Sequence, residues 1–339
     1  MKISYQKVKE GIRVIRCCGL DGEVEIPETI DGLLVNEIGP YAFAQEVRRK
    51  EPGEIFDWVT GEFEDEDDEL PPICGNKLQS ISLPSSLKKI GAYAFYGCEN
   101  LERVKAFSLT ADLGAGLFTG CYGIKKLDIS MVPGERSCLK EMLSELRQTL
   151  TLDYRNQKGE LLARLIFPEF FEESVENTPA RILMREMHGC GHMYRNAFVG
   201  GEFQFMVYDR LFFHVQVEEK PLLGTLLALN RLRYPLQLGN EAKKTYEAYL
   251  ASHGREIFQA AVKEQDGELL TFAAGASWCT NQCLEDMLSE AEGLGMAQFN
   301  GILMEARHRK KIEEEKKENS GKEKSLGESG GKRTRRFVL

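Results

Sequence analysis

Apolar residues recur along the first third of the chain at a fixed interval. Leu78-Gln79-Ser80-Ile81-Ser82-Leu83 is followed 23 residues on by Leu101-Glu102-Arg103-Val104-Lys105-Ala106, and 23 further by Ile124-Lys125-Lys126-Leu127-Asp128-Ile129. Each segment reads apolar-x-x-apolar-x-apolar. The same step carries Ile90-Gly91 to Leu113-Gly114, Phe95 to Phe118 and Gly97-Cys98 to Gly120-Cys121. Eight positions in one register, three on the strand and five after it, mark an internal repeat. An earlier copy precedes them. Val24-Glu25-Ile26-Pro27 parallels Ile81-Ser82-Leu83-Pro84, and Ile38-Gly39 with Ala42-Phe43 parallels Ile90-Gly91 with Ala94-Phe95. Phe43 lies 52 residues before Phe95, one 23-residue step plus 29, and the surplus falls in 45–76.

Alternating apolar residues make a short strand with one buried face. Proline ends the strand because it cannot donate to a ladder. The Ala-Phe pair drops a large ring between coils, and glycine allows the return. One such coil cannot bury its own face, whereas about three or more stacked coils bury a continuous core.

After Pro133-Gly134 the period changes. Leu139, Met142, Leu143 and Leu146 are spaced for a helix. Leu150, Leu152 and Tyr154 then alternate, Asn156-Gln157-Lys158-Gly159 supplies a turn, and 161–167 is apolar, so a β-hairpin is expected near 149–167. From about 218 the spacing is helical again, with stripes at Leu222, Leu223, Leu226, Leu227 and Leu229 and at Ala242, Tyr246 and Leu250. The final stripes are Leu284, Met287, Leu288 and Ala291, then Phe299, Ile302, Leu303 and Ala306. Short helices joined by short turns predict stacked antiparallel hairpins, a helical-repeat-like array. The last helix is expected to fray near Glu318. The Gly, Ser, Lys, Arg and Glu that follow cannot bury enough surface to order themselves.

Length and charge sharpen this division. A chain of 339 residues suggests about two domains. From Arg307 onward there are 12 basic and 6 acidic residues, a net of +6; the whole chain is −9, so the rest is −15. An acidic body argues against general nucleic-acid binding. Within 45–76, Glu62 and then Glu64 to Glu69 form a run of acids that repels itself. The first 11 residues lack the apolar core of a signal peptide, and no apolar run approaches about 18 residues. A cytoplasmic protein is expected, without membrane or nucleic-acid partners. Nine cysteines, an odd number in no dense framework, fit a reduced state.

Leu83-Pro84, Ile90-Gly91, Ala94-Phe95, Gly97-Cys98 and Leu101 resemble the repeat of the BspA-type leucine-rich repeat family, over roughly residues 14–131. The resemblance implies a short solenoid. Members of that family are often secreted or surface-attached and implicated in adhesion; this chain has few repeats and no visible signal peptide. The fold class expected is α+β multidomain. A leucine-rich-repeat solenoid would span 1–132, with the acidic insertion at about 45–76. A mostly helical domain would span 137–312, and a disordered charged tail 313–339.

No catalytic constellation emerges, and no enzyme activity, cofactor or metal is expected. His188-Gly189-Cys190-Gly191-His192 offers three zinc-competent side chains, but alternation with glycine is not a finger spacing, and a Gly-rich turn is the more ordinary reading. Cys279 and Cys283 share a helical face and read first as small buried residues. What remains is a surface. Between the inward residues of each strand, Glu23 and Glu25, Ser80 and Ser82, Arg103 and Lys105, and Lys126 and Asp128 point outward. A regular strand face is where solenoids commonly hold partners. Ser80, Ser82, Arg103, Lys105, Lys126 and Asp128 are therefore the candidate face for a protein partner, and the acidic run could compete for it. The alternatives are a metal-dependent or enzymatic domain in 138–310, or a surface adhesin.

Overall fold

Each step of the repeat closes one coil of a β-solenoid. The computed structural model describes residues 1–46, 52–60, 70–110, 112–135, 137–177 and 182–328. The acidic run at 62–69 therefore lies outside the described residues, as does its expected competition for the strand face. In chain order the solenoid opens with an antiparallel hairpin of β1 (Lys2–Val8) and β2 (Gly11–Cys18). There follow β3 (Glu23–Glu25), β4 (Thr29–Ile30), β5 (Leu33–Ile38), β6 (Phe56–Val59), β7 (Ser80–Ser82) and β8 (Lys89–Ile90). Next come β9 (Arg103–Phe107), β10 (Asp112–Leu113), β11 (Lys126–Ser130), helix α1 (Leu139–Glu145), β12 (Leu150–Arg155) and β13 (Leu161–Phe167).

One sheet has the order β13-β12-β11-β9-β7-β3 and the other β10-β8-β5-β2-β1-β6. In the first sheet β3, β7, β9, β11 and β12 are parallel. Their register places Val24, Ile81, Val104, Leu127 and Leu152 side by side, and all are buried. Between the coils Phe43 stacks on Phe95 at 5.3 Å and Phe95 on Phe118 at 5.7 Å. Burying rings of this size, stacked, is the main source of cohesion in such a core. Cys98 and Cys121 are buried beside them and donate to Phe43 O at 3.3 Å and Phe95 O at 3.0 Å.

The repeat glycines serve two needs. Gly97 and Gly120 have φ of +71° and +83°, the left-handed region that glycine enters at least cost. Gly114 is needed for closeness: a Cβ there would sit 2.2 Å from Ala92 N of the preceding coil.

The stack also has a defined end. In each coil the phenylalanine N–H donates to the next, Phe43 N to Ala94 O at 2.8 Å and Phe95 N to Leu117 O at 3.3 Å. Phe118 has no further coil. Its N–H is taken by Glu145 Oε2 from α1 at 2.8 Å, and Gln148 Nε2 reaches Cys121 O at 3.1 Å. These side chains satisfy groups that would otherwise be orphaned.

The structure changes three expectations. First, the insertion at 45–76 is more than an acidic run: β6 lies within it and pairs antiparallel with β1. Secondly, the hairpin near 149–167 exists, but it extends the solenoid sheet instead of opening another domain, because β12 continues the parallel ladder from β11. Compact units divide at Met1–Lys243 and Lys244–Leu339, not at 132–137. The first unit therefore includes a second hairpin, β14 (Phe171–Asn177) and β15 (Ile182–His188), then α2 (Gly191–Arg195), β16 (Phe198–Val199) and β17 (Glu202–Phe203). Helices α3 (Phe205–Arg210), α4 (Phe212–Glu218) and α5 (Pro221–Arg233) complete it. These helices are anchored on the solenoid's last strand: the Tyr208 hydroxyl donates to Ile166 O at 2.6 Å and accepts from Ile166 N at 2.9 Å. Behind it Arg231 and Asp209, both buried, form a two-pronged pair at 2.8 and 2.9 Å.

Helix α6 (Asn240–Ala251) crosses the division. The second unit continues with α7 (Gly254–Lys263), α8 (Gly267–Gly275), α9 (Asn281–Leu294) and α10 (Ala297–Glu328). Helix α7 packs on α8 and α9, and α10 on the same two. Phe258 meets Phe299 edge-on at 5.9 Å. The third change is the length of α10. Its backbone is helical through Glu328, beyond the 313 where a charged tail was expected, while 329–339 lie outside the described residues. A composition too polar to pack still suits a helix when it is rich in Glu and Lys, which are good helix formers.

Candidate functional site

The outward residues of the parallel sheet line up as the register requires. Glu23, Ser80, Arg103, Lys126 and Thr151 form one row, and Glu25, Ser82, Lys105, Asp128 and Asp153 the next. All six residues singled out from sequence lie on this face. Their environments differ. Glu23, Glu25, Arg103 and Lys105 are exposed, while Ser80, Ser82, Lys126 and Asp128 are half-buried. No ion-pair partner for Arg103 or Lys105 is found among the described residues.

Lys126 and Asp128 belong to a closed network at the end of the stack. Its centre is Asp153, 0% exposed. Lys126 Nζ lies 2.7 Å from Asp153 Oδ2, and Arg164 Nε lies 2.6 Å from Oδ1. Arg155 Nη2 is 3.2 Å from the same carboxylate, and Arg155 Nε is 2.8 Å from Asp128 Oδ1. Burial alone would raise the Asp153 carboxyl, but hydrogen bonds from Arg164 and Lys126 outweigh it and hold the group below its ordinary value. The sheet face is thus acidic at β3, neutral at β7, basic and without an ion-pair partner among the described residues at β9, and internally neutralised from β11 onward. Asp153, Arg155 and Arg164 were not among the residues singled out. The 25-residue step from Lys126 to Thr151, close to the repeat length, was the available signal.

The other candidates are dispersed. His188 stacks on Phe171 at 4.7 Å with Nε2 3.2 Å from Glu173. Cys190 is buried with Sγ 3.6 Å from Glu219 Oε1, and His192 Nδ1 is 3.0 Å from Gly189 O. Among the described residues no three His, Cys, Asp or Glu side chains gather as metal ligands, and no helix is long and apolar enough to cross a membrane. All nine cysteines are free.

Residues 74–142 match the family described as BspA type leucine rich repeat region (6 copies). Repeats of this kind serve protein interaction or adhesion in general and are typically not enzymatic. Among solved structures, the crystal structure of the T. pallidum leucine rich repeat protein (TpLRR) is 21% identical, over 37% of this chain and 67% of that one. Its TM-score of 0.22 is too low to carry an argument. No curated protein matches. Residues 74–142 span β7 to α1, and the earlier strand β3 and the later β12 extend the same ladder on either side. This chain therefore carries a BspA-type leucine-rich repeat solenoid, closed at its end by Glu145 and by the hairpin around Asp153.

Proposed function

We propose that this protein is an intracellular interaction module that holds a protein partner on the strand face of its repeats, centred on Arg103 and Lys105. The observation that carries this reading is the contrast along the face. These two cations are exposed and free of ion-pair partners among the described residues, while the neighbouring cation Lys126 is already paired with Asp153. A partner presenting an acidic, extended segment suits such a surface, since free charges on a rigid sheet steer association and fix register. Ser80 and Ser82 next to them offer hydroxyls for hydrogen bonds. The helices of the second unit, read as a helical-repeat-like array, would add surface to the same partner.

The test is affinity capture from native lysate with the intact protein beside Arg103→Glu/Lys105→Glu. A partner retained by the first and lost by the second, at unchanged thermal stability, supports the reading. Equal capture by both proteins removes the face from consideration. Cell fractionation distinguishes the adhesin alternative, which requires the protein at the cell surface.

A further inference from the structure

The second unit contains chemistry that the strand face does not use. Thr280 is the N-cap of α9, its hydroxyl accepting from Cys283 N at 3.1 Å. Cys279 immediately precedes that cap, and Cys283 sits in the first turn. Cys283 is fully buried, with Sγ 3.6 Å from Leu250 O and within hydrogen-bonding reach of the Cys279 sulfur. Cys279, 3% exposed, lines a cleft of about 590 Å³ together with Thr271, Thr280, Asn281, Arg309 and Lys310. Lys310 reaches in from α10 and donates to Cys279 O. Cys279 thus borders a cleft whose rim carries Lys310 and the Arg309–Glu305 pair, and Cys283 stands behind it.

We propose that Cys279 and Cys283 are a redox-active dithiol, at which a small anionic disulfide of the glutathione class is reduced and the protein gains a Cys279–Cys283 disulfide. Cys279 attacks one sulfur of the ligand; the ligand's S–S bond breaks and one ligand thiolate leaves. Cys283 then loses its proton and attacks the Cys279 sulfur, and the second ligand thiol is released. Two protein thiols are oxidised and one disulfide becomes two thiols, so no further oxidant is needed.

Several features suit these roles. The cleft has the volume of a small-ligand site, and Lys310 favours a carboxylate, while Arg309 is already paired with Glu305 on the same rim. Hydrogen bonding from Cys283 and the nearby Lys310 charge bring the Cys279 thiol down to about 7, while Cys283 is pushed up by its bond to Cys279 and by burial. The cleft-lining cysteine is thus the nucleophile and the one behind it resolves. A disulfide needs Cβ atoms about 3.5–4.5 Å apart, closer than the roughly 5–6 Å of residues four apart within a helix. Thr280, with ψ of 167°, outside helical values, keeps Cys279 out of the helix and provides that slack.

The experiment treats the reduced full-length protein with glutathione disulfide and maps cysteine peptides without reduction. The wild type is expected to link Cys279 to Cys283. Cys283→Ser is expected to stop at a glutathionylated Cys279, and Cys279→Ser to leave Cys283 reduced. At neutral pH, Cys279 should alkylate with iodoacetamide roughly tenfold faster than an ordinary thiol, and Lys310→Met should slow it. Should Cys279 stay reduced in the wild type while the half-buried Cys18 or Cys74 is modified, the proposal fails. Circular dichroism of each variant separates loss of reactivity from loss of fold.

Discussion

The middle coils and the hairpin that ends the stack use equivalent outward positions in contrary ways. On β9, Lys105 faces solvent; two strands on, Asp153 stands in the same row and is buried among three cations. The difference lies in the neighbours. A strand inside the stack meets a parallel strand on each side, so its outward side chains answer mainly to solvent or to a partner. At the end, β13 runs antiparallel and sets Arg164 directly across from Asp153. The Arg164 guanidinium also lies 5.7 Å from the Tyr234 ring, which helps to close the network off from water. Periodicity decides what points inward everywhere, whereas termination decides what the outward positions are for.

The most forceful way to break this contrast is Asp153→Ala. It leaves Lys126, Arg155 and Arg164 together without their shared anion. Removing one partner from a buried ionic cluster costs about 3–5 kcal/mol, readable as a lower denaturant midpoint. The sign with pH follows from the depressed Asp153 carboxyl. Its contribution is complete above the unfolded value of about 3.9 and is lost as pH falls through the folded value. The gap between wild type and Asp153→Ala should therefore narrow in strong acid; a gap independent of pH would show that the carboxylate's charge is not what holds the cluster.

Glu145→Ala tests the other closing device. It strands the Phe118 N–H at the end of the phenylalanine ladder. An unsatisfied buried donor costs about 1–3 kcal/mol. Hydrogen exchange should show the loss first at Phe118 and Cys121, not at Phe43. If protection falls equally along all the coils, α1 is not a local cap.

Much of this was legible in the sequence, for identifiable reasons. The spacing of 23 residues fixed Ile81, Val104 and Leu127 as one buried row, because only stacked coils give apolar positions that interval. The hairpin at 150–167 was visible from the alternation of Leu150, Leu152 and Tyr154, yet not its attachment to the solenoid. Alternation reports which face is buried and not which strand lies alongside. The same limit moved α3 to α5 into the wrong unit: a helical stripe says that a helix has a buried face, not that Tyr208 will hydrogen-bond with Ile166. Asp153 escaped notice because an acid on an outward strand position reads as solvated until the antiparallel strand brings its arginine.

The smallest expected effect sharpens the comparison most. Arg103→Glu/Lys105→Glu reverses two exposed charges that have no ion-pair partner among the described residues, so stability should change by less than about 0.5 kcal/mol. Lys126→Glu reverses one charge in the adjacent strand and should cost about 1–3 kcal/mol, because it removes a charged hydrogen bond from Asp153 and sets a carboxylate beside it. Thermal melts of the two variants, side by side, test this directly. If the double reversal is the more harmful, Arg103 and Lys105 serve the fold and the partner face must lie elsewhere. If it is silent while Lys126→Glu is not, then two cations in adjoining strands of one ladder have different tasks. A cation without benefit to stability, on a face that the described residues leave exposed, is what a binding surface requires.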